Sequence, residues 1–345
     1  MKYTGKIIVL AFPDTWVKMS DELLVKLMPI VGLGTGNCIK AGHAALVLVE
    51  NSTGKAAYYD FGRYITPKGY GRVRGVNTDV ELAIPFKAEI ENDKLKNLDQ
   101  FLLWLDAHPE KTHGAGRLVA SVCEDINYAK AQQYIDMLQE KGSMPYKAFG
   151  KVGENCNCSR LVTDAILQST DNEDIIKDLL WNKRFTPSTV GNVEKSASSM
   201  GVFEVYEGVI KPYTSTAFKE NTSNYFDHKV PAYMKQERVI DQSKLPENAH
   251  FLDGIGSCAW FSFGGLKEGG MLISRYNEYQ ELDFSGIYTL PEGFKPAEDF
   301  SFDYDCNCSL CHIVQKDKRF KVTLIKPCKI DERENTSSSQ MVHSA

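Results

Sequence analysis

Residues 154–166 read ENCNCSRLVTDAI, two cysteines one residue apart where a helix is expected to begin. A thiol at that place can do chemistry. The unpaired N–H groups of a first helical turn and the positive end of the helix dipole stabilise a thiolate and lower its pKa. The same N–H groups can hold the oxyanion formed when a thiolate adds to a carbonyl. On a projection of about 100° per residue, Leu161, Ala165, Cys158, Val162 and Ile166 fall in one sector. That assigns Cys158 to the apolar stripe as a core residue, as free cysteine commonly is. Cys156 projects from the other side and is the candidate nucleophile; the alternative is a capping or loop cysteine without reactivity.

A thiol enzyme needs an imidazole within hydrogen-bond reach. His43 stands directly after Gly42 at the head of GHAALVLVE, a strand expected to be central, and is the candidate base. It reads equally as an ordinary strand-edge histidine. His108 and His113 fall in a loop, His228 in a linker, His250 and His312 in a second domain and His343 in a tail. On the returning strand AAYYDFGRY, Asp60 could fix the imidazole tautomer and stabilise imidazolium, or could simply begin the turn at Gly62. Arg63, Arg72 and Arg74 lie in a glycine-rich stretch just beyond. A solvated basic loop is one reading; binding of a substrate carboxylate or phosphate, with Arg63 the nearest candidate, is the other.

The elements that position these groups follow from periodicity. MKYTGKIIVLAFPDTW reads as a buried first strand, because its apolar stretch is too short for a signal-peptide core and no small-residue cleavage site follows. Ser20 can cap a helix carrying Asp21 and Glu22 in its first turn and stopping near Met28-Pro29. VGLGTGNC lacks the spacing and context of a phosphate loop and reads as a flexible connection. GHAALVLVE is a continuous apolar run, as expected of a strand buried on both faces, and NSTGK turns it into its hairpin partner. Residues 79–90 alternate like a strand. Asn92 is expected to cap a helix running to His108-Pro109, and Asn127 another that ends before Gly142. RLVASVC and FEVYEGVI are strands.

With 345 residues there is room for two domains. The expected fold class is α+β: an antiparallel sheet with packed helices over residues 1–212, a linker over 213–235, a smaller mostly-β domain over 236–330 and a disordered tail over 331–345. The strands expected in the second domain are AWFSF, GGMLISRY, SGIYTL, FSFDYDCNC and RFKVTLI. A formal net charge of −5 argues against a general nucleic-acid partner, and no apolar run approaches the roughly 20 residues of a transmembrane helix. Nine cysteines without an export signal point to reduced thiols and a cytoplasmic location.

A strand beginning Gly42-His43, an antiparallel return and a later Asn155-Cys156 at a helix start together resemble the circularly permuted papain-like fold. That grouping spans the PPPDE-type peptidases, the lecithin:retinol acyltransferase-like enzymes and relatives of the NlpC-type amidases. The resemblance covers roughly residues 5–210. It implies that histidine precedes cysteine along the chain, that Cys156, His43 and Asp60 form the catalytic set, and that Asn155 belongs to the signature as a candidate substrate contact. Cys158 stands where the PPPDE-type pattern has a bulky residue, often histidine. The implied activity is a cysteine-dependent hydrolase or acyl-transferase acting on an amide or ester of a protein, a peptide or a small acyl or amide substrate, with no cofactor. The alternatives are a binding or scaffold protein of the same shape, or a zinc-stabilised interaction module.

The zinc alternative rests on CNCSLCH, residues 306–312, where Cys308 and Cys311 have C-x2-C spacing. Periodicity opposes it. Cys306 and Cys308 continue the apolar strand face of Phe300, Phe302 and Tyr304, so core packing is the expectation and no metal is assigned.

Overall fold

The computed structural model describes residues 2–20, 22–149, 154–184, 186–235 and 238–329; the expected tail, 331–345, lies outside them. The chain divides into two units, the first comprising residues 1–62, 69–76 and 82–236 and the second 63–68, 77–81 and 237–345.

The first unit is built on an eight-stranded sheet whose neighbouring strands are all antiparallel. Its strands are β1 (Gly5–Phe12), β2 (His43–Glu50), β3 (Ala56–Gly62), β4 (Tyr70–Arg74), β5 (Leu118–Ile126), β6 (Met144–Pro145), β7 (Val202–Tyr206) and β8 (Val209–Pro212), in the spatial order β6-β4-β3-β2-β1-β5-β7-β8. Helices cover both faces, which is why the central strands read as unbroken apolar runs. Besides a single turn at Pro109–Thr112, the helices are α1 (Leu23–Leu27), α2 (Leu98–Asp106), α3 (Tyr128–Glu140), α4 (Cys158–Ser169), α5 (Glu173–Asn182), α6 (Thr189–Lys195) and α7 (Ala217–Tyr225). Ile7, Val9 and Ala11 pack with Ile135 of α3, Leu161 and Ala165 of α4, and Val193 of α6. Ile8, Leu10 and Phe12 point the other way, toward Phe101, Leu102 and Leu105 of α2.

Several expectations need correction. The helix expected from Ser20 begins at Leu23, with Glu22 in the cap position. Residues 79–90 form no long strand; Val80–Leu82 make one 3-10 turn, and Pro85 cannot donate to a ladder. Asn92 takes a left-handed conformation (φ 48°) in a tight hairpin between Ile90–Glu91 and Lys94–Leu95, so the following helix starts only at Leu98. Asn127 does cap α3, accepting from the Lys130 N–H. The stretch expected as a linker, 213–235, holds α7, capped by Thr216, with Glu220 bonded to Arg117. Among the described residues no helix is long and apolar enough to cross a membrane.

The second unit is a seven-stranded antiparallel sheet of β9 (His250–Leu252), β10 (Ala259–Lys267), β11 (Gly270–Tyr276), β12 (Leu282–Tyr288), β13 (Ser301–Asp303), β14 (Leu310–Gln315) and β15 (Lys318–Pro327), in the order β9-β10-β11-β12-β15-β14-β13. Two short upstream pieces complete it. Tyr64 bridges Ser257, the Gly256 N–H donates to Arg63 O at 2.9 Å, and the Cys308 N–H donates to Thr78 O at 2.9 Å. Arg275, with only 3% of its side chain exposed, is held by Asp79, Glu81 and Asp283. A buried guanidinium survives only with such partners.

Candidate active site

Asn157 adopts an extended backbone, and its side-chain Oδ1 accepts from the Arg160 N–H at 2.8 Å, making it the cap of α4. Its Nδ2 donates to Lys147 O at 2.9 Å, which fixes the chain entering the helix. Cys158 is therefore the first helical residue, and Cys156 lies two residues outside. The helix begins two residues later than the sequence reading placed it, and that displacement decides which thiol meets the histidine. Cys158 is the thiol that His43 acts on electrostatically, and the backbone N–H groups of Ala44 and Ser159 act on it as well. Cys156 instead bridges Tyr146 in the backbone and directs its Sγ to Asn157 O at 3.4 Å.

His43 is the first residue of β2, opposite Phe12, whose ring stacks on it with centroids 6.2 Å apart. Gly42 before it has φ +76°, and a Cβ there would come within 2.9 Å of Thr189 Oγ1. Glycine is what allows the chain to enter the strand at this angle. Asp60 pairs with Ala45 across the β2–β3 ladder, so it shares a sheet face with His43 two residues away. His43 Nε2 lies 3.3 Å from Asp60 Oδ2, leaving Nδ1 for the sulfur. Asp60 is fully buried and accepts also from Tyr58 OH at 3.1 Å, from Arg74 Nε at 2.9 Å and from Arg74 Nη2 at 2.6 Å.

The electrostatics follow from these contacts. Burial raises the Asp60 carboxyl, but the Arg74 charge and the His43 hydrogen bond outweigh it and hold the group well below the usual carboxylate range. Burial opposes a charge on His43 too; the hydrogen bonds to Asp60 and Cys158 overcome it and lift the imidazole to about 9. For Cys158 the same balance runs the other way. Burial pushes the thiol up, while the hydrogen bond and charge of His43, with the Ala44 and Ser159 N–H groups, bring it below its ordinary value. Cys156 has no such partner, and burial drives its thiol far up. The surroundings thus favour charge on Cys158 and His43 and disfavour it on Cys156.

Cys158 also lines a cavity of about 110 Å³ with Met19, Val25, Ile39, Phe149 and Tyr225. The remaining candidates fall elsewhere. Arg63 belongs to the second unit and is buried. Arg72 and Arg74 are buried as well, which overturns the solvated basic loop; Arg74 has become the clamp on Asp60. Asn155 is buried, with an Oδ1 that makes no hydrogen bond. Cys306, Cys308 and Cys311 all pack in the second unit's core, the expected strand there being confined to β13. Cys306 hydrogen-bonds to Asp303 O and Cys311 to Asn307 O. Among the described residues no group of three or more His, Cys, Asp or Glu side chains is arranged to hold a metal ion. All nine cysteines are free thiols.

Cys158 is buried in the apolar core as the stripe projection placed it, but every residue from Cys158 to Ile166 is buried, polar ones included, so the projection could not say which thiol faces His43. A stripe separates core from surface only where one side of a helix is wet. The signal available was the cap: asparagine is among the strongest N-cap residues, and Asn157 is the one followed directly by the helical run.

Comparison with known proteins finds two partial similarities. Residues 7–175 match the family described as type VI secretion system effector TseH-like, and residues 249–325 match the DUF6695 C-terminal domain. No curated protein matches the chain. A crystal structure of the type VI secretion system effector TseH covers 61% of this chain and 98% of its own, at 17% identity and a TM-score of 0.40.

Proposed function

We propose that the first unit is a papain-like thiol hydrolase or acyl-transferase with Cys158 as nucleophile, His43 as base and then acid, and Asp60 as the group that orients and charges His43. The observation that carries this reading is that His43, hydrogen-bonded to Asp60, is coupled in charge to Cys158, which lines a cavity. The thiolate adds to the carbonyl carbon of an amide or ester, forming a C–S bond. His43 gives its Nδ1 proton to the departing nitrogen or oxygen as that bond breaks, leaving an acyl-thioester. Water or another acceptor then adds to the thioester, His43 takes the proton, and the thiolate is restored. Backbone N–H groups at the start of α4 are available to the oxyanion. Histidine before cysteine along the chain fits the permuted arrangement. The similarity of residues 7–175 to TseH-like secretion effectors suggests an effector hydrolase acting on protein or peptide, with free thiols fitting a reducing location such as cytoplasm.

The test is alkylation by iodoacetamide across pH, read cysteine by cysteine by mass spectrometry. Cys158 is expected to react selectively and below the ordinary thiol value of about 8.5, and His43→Ala should remove that advantage. Cys156 should stay inert. Reaction at Cys156 with Cys158 silent, or a Cys158 rate indifferent to His43, would sink the assignment and leave a scaffold protein as the better reading.

A further inference from the structure

The cavity beside Cys158 has a composition that selects. Val17, Met19, Val25, Met28, Ile39 and Phe149 give it apolar walls. Its polar contributors include Ser20, Ser159, Thr186 and Thr189, and no carboxylate lines it among the described residues. Lys18 is the one charged lining residue among them and is itself exposed. A cation entering such walls loses its hydration without gaining a partner, an anion meets only the exposed Lys18, and an alkyl group gains by leaving water. Size sets the second limit. A cavity of about 150 Å³ lined by aliphatic side chains accommodates benzene, so one of about 110 Å³ suits a smaller group, roughly four carbons.

We propose that this cavity is the specificity subsite of the Cys158 centre and takes a small, uncharged aliphatic group attached beside the carbonyl that Cys158 attacks. The inference rests on Cys158 being the nucleophile, and it adds a substrate class: amides or esters carrying a valine- or leucine-sized group, with acidic and basic side chains disfavoured. Met19 and Ile39 also pack with Val25 in a small satellite cluster, with Met28, Phe149 and Tyr225 against it, so the walls are held by one another.

The test uses N-alkyl chloroacetamides from methyl to hexyl, with equal-length analogues ending in carboxylate or ammonium. The Cys158 thiolate displaces chloride, forming a C–S bond as the C–Cl bond breaks, so no unknown substrate is needed. The expected rate rises about fourfold per methylene up to about butyl and then levels or falls. The charged analogues should be at least about tenfold slower than their alkyl counterparts. Ala41→Leu, which narrows the cavity, should bring the butyl-to-methyl ratio toward one, and Ala148→Leu does the same should the first variant fail to fold. A flat series on the parent protein, or charged analogues as fast as alkyl ones, would overturn the subsite. If iodoacetamide still found Cys158 selective and dependent on His43, the catalytic reading would survive that result. Were Cys158 indifferent to His43, both would fall, because the subsite would have no reacting centre to serve.

Discussion

Asp60 receives hydrogen bonds from His43, Tyr58 and Arg74, and that crowding sets the pH behaviour of the site. His43 is lifted to about 9 from an ordinary 6.5. Its imidazolium is therefore present through neutral pH, and acyl transfer should fall as pH rises through about 9, when the acid for the leaving group is lost. Alkylation, which needs only the thiolate, should not fall there, and the contrast between the two profiles identifies the histidine step. By linkage, the stabilisation from charged His43 is complete below about 6.5 and is lost as pH rises through about 9. Asp60→Asn removes the charge that opposes burial. The upper limit for acyl transfer should then drop below neutrality, and loss of the carboxylate that Arg74 clamps should cost about 3–5 kcal/mol in denaturant unfolding. An unmoved pH limit would mean that Asp60 serves structure alone. His43 and Asp60 were legible in the sequence as a histidine after glycine and a carboxylate on the returning strand. Arg74 was not, because nothing in a glycine-rich run of arginines says which one meets Asp60.

Among the elements, α4 shows how one capping residue chooses a nucleophile. The central hairpin of β2 and β3 could be read directly, since unbroken apolar strands bounded by turn residues leave few alternatives. The start of α4 could not, because Asn155 and Asn157 offer competing caps and the projection has no wet face to calibrate it. Asn157 takes the cap and so brings the Cys158 sulfur to the open N–H groups. Asn157→Ala should cost about 1 kcal/mol of stability and slow Cys158 alkylation. Asn157→Asp caps as well as asparagine but puts a carboxylate beside the thiolate. Because aspartate cannot donate to Lys147 O, it should restore only the cap's share of the stability, measured by thermal unfolding, and none of the alkylation rate. Recovery of both would show that the cap holds the helix and does not tune the sulfur.

On the scale of the whole molecule, the second unit is not a contiguous piece of chain. The similarity to the DUF6695 C-terminal domain begins at residue 249, yet Ile65 lies in the unit's core with Val80 packed against it, and Asp79 and Glu81 supply two of the three carboxylates around Arg275. Composition shifts and turn residues locate boundaries only where a domain is one stretch, so these two short pieces left no trace in the sequence. A chain beginning at residue 238 should lack a cooperative thermal transition, because Arg275 would keep only Asp283 and the Cys308 N–H would lose Thr78 O. A melting temperature equal to that of the full chain would show the upstream pieces to be dispensable.

The pairing of Asp79 with Arg275 spans 196 residues, and synthesis proceeds at about 5–20 residues per second. The two acidic residues thus leave the ribosome roughly 10–40 s before the arginine they enclose. During that interval Asp79 and Glu81 wait without Arg275, and the second unit is complete only once its last strand, β15, has followed.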